Sequence, residues 1–406
     1  MTDSTDAAVP ARTAPAAQQP DWPDRARLAQ VRRRLRELPP PVAPRAVDRL
    51  HRHLARVAEG RALLLQGGDC AETFAGNTPA HIRANLRTLL HTAAVLEVSS
   101  GLPVVPVGRI AGQYAKPRSS PVDAHGLPSY RGDSVNASAP TAAARVPDPD
   151  RLLRAYADAR STLDIVAAVE AETGTELFAG HEALLLDYET PLSRRAPHGA
   201  RYGLSGHFLW IGERTRHIDG AHVEFARGIA NPLGVKIGAG TTADEVLAYA
   251  ESLDPHRTPG RLTLIGRMGA DRVADALPPL VAAVAAAGHP VIWLCDPMHG
   301  NTRLAASGHK TRHFDAVLAE IRGFFAVHAD LGTHPAGLHL EFTGDDVTEC
   351  LGGSQDVRDA DLPARYRTAC DPRLNARQSL DLACLVAEIL RERARAAAHR
   401  EPTRVG

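Results

Sequence analysis

Seven polar side chains of this 406-residue chain share one kind of position, at or just past the C-terminal end of a short apolar run. They are Cys70, Arg109, Arg214, Lys236, Arg267, His299 and Glu341, and Asp371 follows further downstream. A thiolate, an imidazole and two carboxylates can bind a divalent metal, whereas the cations suit phosphorylated ligands. The pattern therefore predicts one site in which a metal lies beside bound phosphate groups.

The prediction of a metal site depends on three possible ligands, Cys70, His299 and Glu341, and on the sequence around each of them. Cys70 ends the segment QGGDC, and taken alone it is more often a buried structural cysteine. His299 lies in the polar segment DPMHGN, and Glu341 stands in an otherwise apolar strand. Such a mixed shell suits Mn, Co, Fe or Zn, with one position open for a substrate oxygen.

The segment GRIAGQYAKPRSS, residues 108–120, brings together three cations and two serine hydroxyl groups. An isolated stretch of this kind is usually a solvated surface loop. Here Arg214, Lys236 and Arg267 end three successive strands and would converge on the same place, which requires an anionic ligand. Lys236 could instead form a Schiff base with a carbonyl substrate, but a metal site makes an imine redundant.

From Arg61 onward, short β-rich runs alternate with amphipathic segments, which is typical of βα units around a parallel sheet. Eight strands are predicted over residues 62–65, 104–107, 183–186, 208–211, 233–235, 262–265, 291–294 and 338–340. Helices are predicted over 148–173, 271–287 and 314–328, with a capping box at Thr242 and Glu245 and an N-cap at Asn375. We expect an α/β fold, a (β/α)8 TIM barrel with the polar residues at its C-terminal rim. A doubly wound open sheet is the alternative, because strand order is not encoded in these patterns.

Three regions are expected along the chain. Residues 1–23, rich in Ala, Pro and small polar residues, are predicted to be a disordered tail. Residues 24–58 form an N-terminal helical extension, with helices over 24–38 and 47–57, that caps the barrel base or mediates a dimer contact. Residues 59–400 form the catalytic barrel.

The composition excludes several classes of partner. The chain has 47 basic and 47 acidic residues, so no global field favours nucleic acid or a membrane surface. It has no apolar stretch long enough to span a bilayer and no basic start followed by an apolar run, so we expect a cytoplasmic protein. The five cysteines form no CxxC pair and are expected to be reduced thiols.

From about Leu63 to Glu388 the chain resembles the class II 3-deoxy-D-arabino-heptulosonate 7-phosphate (DAHP) synthases, the plant and microbial type. The resemblance is carried by LLLQGGDCAETF, GRIAGQYAKPRSS, SYRGD, HEALLLDYE, FLWIGERTR, NPLGVKIG, IGRMGADRV, DPMHGNT, GHKTRHFD, EFTGDDVTEC and YRTACDPRLN. It implies a (β/α)8 barrel, a divalent metal, and condensation of phosphoenolpyruvate with erythrose 4-phosphate, the first step of the shikimate pathway.

The resemblance also implies individual roles. The metal ligands fall on Cys70, His299, Glu341 and Asp371, with Mn²⁺ or Co²⁺ as the expected metal and Zn²⁺ or Fe²⁺ as alternatives. The phosphate of phosphoenolpyruvate is expected to be bound by Arg214, Lys236 and Arg267, and its carboxylate by Arg109 and Lys116. Arg118 and Ser119 are expected to bind the phosphate of erythrose 4-phosphate. Glu213 is expected to orient water or substrate, or else to be an ion-pair partner, and Lys116, Glu213 and His299 are the residues expected to act in catalysis.

The chain departs from longer family members in one segment. Only 44 residues separate Asn136 from His181, where longer members insert helices used in feedback inhibition by aromatic amino acids. We therefore expect an enzyme without that control, in a specialised pathway such as phenazine or antibiotic biosynthesis. A second hypothesis concerns Cys370, which precedes Asp371: oxidation could pair it with Cys70 and expel the metal, unless it is merely a packing residue.

Two other functions are left open by the sequence. An amino-DAHP synthase would use an imino or amino analogue of erythrose 4-phosphate, and the KPRSS loop does not discriminate the two. A non-catalytic barrel that regulates a chorismate mutase is the alternative of another class, although the intact ligand set speaks against it. The N-terminal helices favour a homodimer, and a chorismate mutase is the further partner considered.

Overall fold

The computed structural model describes residues 14–123 and 126–400, in which eight parallel strands close into a barrel. The strands pair in chain order, and the eighth pairs with the first. They are β1 (Leu63–Gly68), β2 (Val104–Arg109), β3 (Phe178–Glu182), β4 (Phe208–Ile211), β5 (Leu233–Gly238), β6 (Leu262–Arg267), β7 (Ile292–Cys295) and β8 (Gly337–Glu341). The predicted (β/α)8 barrel is confirmed, and the open sheet is excluded.

The third strand was predicted in the wrong place. The apolar run 183–186 follows β3, and its last residue opens a short helix, Leu186–Glu189. The strand itself reads FAGHE, in which Gly180 and His181 interrupt the apolar pattern. Gly180 is required because a Cβ there would come within 2.7 Å of the carbonyl oxygen of Phe208 on β4. The close approach of β3 and β4 therefore selects glycine at position 180, although glycine weakens the apolar pattern by which a strand is predicted.

Helices surround the barrel and cover its sheet. They are α1 (Arg25–Glu37), α2 (Pro44–Ala58), α3 (Pro79–Ser100), α4 (Asp150–Thr173), α5 (Leu186–Glu189), α6 (Ala221–Arg227), α7 (Ala243–Leu253), α8 (Val273–Ala276), α9 (Pro278–Ala286), α10 (Phe314–Asp330) and α11 (Ala376–Arg400). The capping box of Thr242 and Glu245 is confirmed, and Asn375 caps α11 through the N–H of Gln378, 2.8 Å away. The helix predicted over 271–287 is divided in two because Pro278 begins a new helix. No helix in the described part of the chain is long and apolar enough to cross a membrane.

Of the two N-terminal helices, α2 covers the base of the barrel. Leu50, Leu54 and Val57 of α2 are fully buried in a cluster with Phe208 and Trp210 from β4. Helix α1 packs against α4 and α5 on the outside of the barrel. Helix α2 therefore lies where an extension that caps the barrel base is expected, and the alternative role in a dimer contact stays a prediction.

The predicted disordered tail is wrong for residues 14–23. Trp22 is 1% exposed, and its indole N–H donates to Asp187 Oδ2 at 3.0 Å. The polar composition predicts disorder, but the side-chain amides of Gln18 and Gln19 form hydrogen bonds with main-chain groups of the barrel rim. Residues 1–13 of the predicted tail lie outside the described residues.

Candidate active site

The C-terminal ends of the strands meet around one buried carboxylate, that of Glu341 at the end of β8. Its Oε1 accepts from Arg109 Nη2 at 2.9 Å, and Lys116 Nζ lies 3.3 Å from the same oxygen. Its Oε2 accepts from Arg312 Nη2 at 2.9 Å. Barrel closure explains the first contact, since β1 lies between β8 and β2 and pairs with both.

These neighbours keep Glu341 ionised. Burial alone would raise its pKa, but His299, Lys116, Arg312 and Arg109 hold the pKa well below its usual range. Conversely, burial would lower the pKa of Lys116, and the carboxylates of Glu341 and Asp371 raise it. Charge therefore persists on both partners inside the barrel.

His299 is oriented by a carboxylate that sequence reasoning did not assign. Its Nδ1 lies 2.7 Å from Oδ2 of the buried Asp296, and its Nε2 lies 3.1 Å from Glu341 Oε1. Asp296 also accepts from Lys236 Nζ at 2.9 Å. A histidine held at Nδ1 by a carboxylate presents Nε2 as a metal ligand. The signal was present in the segment DPMHGN, where Asp296 precedes His299 by three residues.

The structure brings three of the four predicted metal ligands together. Ligand atoms of His299, Glu341 and Asp371 lie within 4.8 Å of one another. Cys70 lies beside this group, with its Sγ 3.4 Å from the main-chain nitrogen of Asp371. A hydrogen bond from Cys370 lowers the pKa of Cys70, although burial opposes this. An imidazole, two carboxylates and a thiol of lowered pKa fit a divalent transition metal.

A second group of residues lines an open pocket next to the ligand cluster. Among its lining residues are Arg118, Ser119, Arg214, Lys310 and Asp371. Lys310 comes from a short hairpin, Arg303–Leu304 with Lys310–Thr311, and its Nζ lies 3.2 Å from Asp371 Oδ1. Lys310 lies in the segment GHKTRHFD, but the sequence pattern assigns it no role, because the hairpin that brings it to Asp371 is not encoded in local periodicity.

The remaining predicted residues occupy the same rim. Arg267 Nη2 donates to the carbonyl oxygen of His299 at 3.1 Å, and its buried Nε has no hydrogen-bond partner among the described residues. Glu213 pairs with Arg216 at 3.0 Å, which matches its alternative role as an ion-pair partner. Burial lowers the pKa of Lys236 to about 8, although Asp296 opposes the shift. Arg267 and Lys236 therefore place two cationic side chains beside His299.

Fold and site together define a TIM-barrel protein of the enzyme type, in which a metal-type ligand cluster adjoins a pocket lined in part by cationic side chains. The model of the class-II DAHP synthetase family matches residues 7–175 and 169–387. The chain belongs to this family, and its assignment as a DAHP synthase, a transferase, is confirmed.

Two relatives extend the comparison over nearly the whole chain. "Phospho-2-dehydro-3-deoxyheptonate aldolase AroG" of Mycolicibacterium smegmatis is 52% identical over 434 residues, which covers 93% of each chain. "Phospho-2-dehydro-3-deoxyheptonate aldolase" of Streptomyces coelicolor is 51% identical, over 94% of this chain and 96% of the relative.

Proposed function

We propose that this enzyme condenses phosphoenolpyruvate with erythrose 4-phosphate to give DAHP and inorganic phosphate. The observation that carries the proposal is the position of Glu341, which links the metal-type ligands to the cations of the rim. One carboxylate thus belongs to the ligand cluster and also contacts Lys116, a residue expected to bind substrate.

We assign the metal to Cys70, His299, Glu341 and Asp371. The close approach of three of these ligands supports the assignment, as does the contact of the Cys70 thiol with Asp371. Mn²⁺ or Co²⁺ is the proposed metal, because both accept mixed nitrogen, oxygen and sulfur ligands. A bound metal would supply Lewis-acid polarisation of the aldehyde oxygen.

Protein side chains hold the two substrates by their charged ends. Arg214, Lys236 and Arg267 take the phosphate of phosphoenolpyruvate, and Arg109 and Lys116 take its carboxylate. This orients C3 of the enol for attack on the aldehyde carbon of erythrose 4-phosphate. Alignment of two bound reactants can contribute about 7 to 11 kcal/mol of the barrier reduction.

Erythrose 4-phosphate is assigned to the pocket lined by Arg118 and Ser119. Lys310 adds a cation to the same pocket, and its Nζ lies 3.2 Å from Oδ1 of Asp371, a proposed metal ligand. A phosphate bound at the Arg118 end would leave the aldehyde end directed toward the ligand cluster. Water adds at C2 of phosphoenolpyruvate during the reaction, and Glu213 is the carboxylate assigned to orient it.

We further propose a role in a specialised pathway without aromatic amino-acid feedback. In the described residues, the connection from β2 to β3 holds one α-helix, α4. The alignment with the M. smegmatis relative extends over 434 positions, more than the 406 residues of this chain, so the relative has segments that this chain lacks. A cytoplasmic homodimer is proposed as well, and the free thiols of the five cysteines are consistent with a reducing compartment.

The test is phosphate release from phosphoenolpyruvate and erythrose 4-phosphate after EDTA treatment, with and without added Mn²⁺ or Co²⁺. Metal-dependent turnover to the seven-carbon product supports the proposal. If the metallated protein is inactive with erythrose 4-phosphate but active with its amino analogue, it is an amino-DAHP synthase. Inactivity with both would favour the non-catalytic regulatory role, to be tested with a chorismate mutase.

A further inference from the structure

The N-terminal residues 14–23, here called the rim segment, cross the C-terminal rim of the barrel. The carbonyl of Pro15 accepts from the main-chain N–H of Ala221 at 3.0 Å. Gln19 Nε2 donates to the carbonyl of Leu184 at 2.8 Å, and its Oε1 accepts from the N–H of Leu186 at 3.1 Å. The rim segment is therefore fixed to the loops that follow β3 and β4. The buried Trp22 anchors its C-terminal end through Asp187.

Between these anchors, Gln18 reaches the loop that carries Arg118 and Ser119. Its Oε1 accepts from the main-chain N–H of Arg118 at 2.9 Å. Its own carbonyl and that of Gln19 accept from Arg131 Nη1 at 3.4 and 3.3 Å. Gln18 has a φ of 60°, which is uncommon outside glycine and persists only where surrounding contacts hold it.

The loop needs support at this point. The N–H of Lys116 is bonded to the carbonyl of Arg131 at 2.9 Å, and the carbonyl of Ser120 accepts from Ser129 Oγ at 2.8 Å. Between these two anchors, Pro117 lacks an N–H group. Gln18 therefore supplies its hydrogen bond midway, at the residue whose side chain lines the anion pocket with Ser119 and Arg214.

We propose that Gln18 is a positioning residue that holds the loop 117–120 in the geometry required for the phosphate of the second substrate. The proposal rests on the proposed function, because it takes erythrose 4-phosphate as the occupant of this pocket. Gln18 acts through the Arg118 main chain and touches neither the cations assigned to phosphoenolpyruvate nor the metal-type ligands.

Two variants separate the hydrogen bond from the backbone strain. Gln18→Met keeps the size of the side chain and removes the acceptor. Gln18→Gly also removes the acceptor but tolerates the positive φ. Asp21→Ala is the matched control, since Asp21 lies in the same segment and pairs only with the exposed Arg25 among the described residues.

Both Gln18 variants are expected to raise KM for erythrose 4-phosphate about threefold to tenfold, the effect of one hydrogen bond. KM for phosphoenolpyruvate and kcat should stay within about twofold, and Asp21→Ala should match the wild type. Unchanged KM values, or equal rises for both substrates, would overturn the positioning role. Wild-type protein that fails to turn over would instead refute the proposed function.

If one Gln18 variant does not fold, as judged by its thermal transition, the other carries the same comparison. The distinguishing readout is the ratio of the two KM values, because general loss of structure lowers the fraction of active enzyme without changing that ratio.

Discussion

Glu341 is fully buried, yet its carboxylate faces Arg109, Lys116, Arg312 and His299. A buried carboxylate in contact with several cations has a strongly lowered pKa and compensates their charge. Removal of its charge would leave the guanidinium groups of Arg109 and Arg312 without this compensating charge.

Glu341→Gln is expected to lose bound metal and at least about a hundredfold of activity. Elemental analysis of metal per chain and steady-state turnover measure the two effects. Glu189→Gln is the control, because Glu189 is also buried but pairs with His181, outside the ligand cluster. Normal metal content in Glu341→Gln would show that Glu341 is not a ligand.

Substitution of Cys370 tests the hypothesis that oxidation pairs this residue with Cys70. Its thiol is hydrogen-bonded to Cys70, the predicted metal ligand, so mild hydrogen peroxide is expected to pair the two and inactivate the enzyme until dithiothreitol is added. Cys370→Ser should resist inactivation, and Cys384→Ser, which changes an exposed thiol, should not. Equal inactivation of Cys370→Ser would leave Cys370 a packing residue.

At the scale of elements, β3 and β4 are joined by a buried histidine. His207 precedes β4, and its Nδ1 accepts from the N–H of Ala179 at 3.0 Å, which requires that nitrogen to be unprotonated. Burial lowers the pKa of His207 to about 4, and Arg49 contributes to the shift. The unfolded chain has a histidine pKa of about 6.5 and binds the proton first as the pH falls.

The direction in which pH changes the stability follows from proton binding to His207 in the folded and the unfolded states. Between about pH 6.5 and pH 4 the unfolded state binds more protons, so the free energy of unfolding falls as the pH falls. This residue should remove about 2 kcal/mol of stability between pH 7 and pH 5. Urea unfolding of wild type and His207→Asn at both pH values measures it; parallel losses in the two proteins would contradict the assignment.

Element positions were predictable where periodicity was strong. The capping box of α7, the amphipathic α10 and seven strands follow from local patterns. β3 did not, because Gly180 is selected by the approach of the neighbouring strand rather than by burial of its own side chain. The ordered residues 14–23 were also missed, since a few specific contacts outweigh a polar composition.

At the scale of the whole molecule, the short connection between β2 and β3 bears on regulation. Titration of activity with Phe, Tyr and Trp, singly and together, is expected to leave turnover within about 20% of the uninhibited rate at 1 mM, where binding at micromolar affinity would be saturated. The expectation follows from α4, which is the single α-helix among the described residues of that connection. Strong inhibition at sub-millimolar concentration would contradict it.

The sequence by itself determined which residues are candidates for the chemistry, because polar side chains at the ends of apolar strands stand out locally. It also determined the class of fold, through alternating strand and helix periodicity. The tertiary structure decided which of these residues meet. Closure of β8 onto β1 brings Glu341 to Arg109, and loop paths add Lys310, Asp296 and Gln18. Those contacts join residues up to 232 positions apart, and no local pattern encodes such a separation.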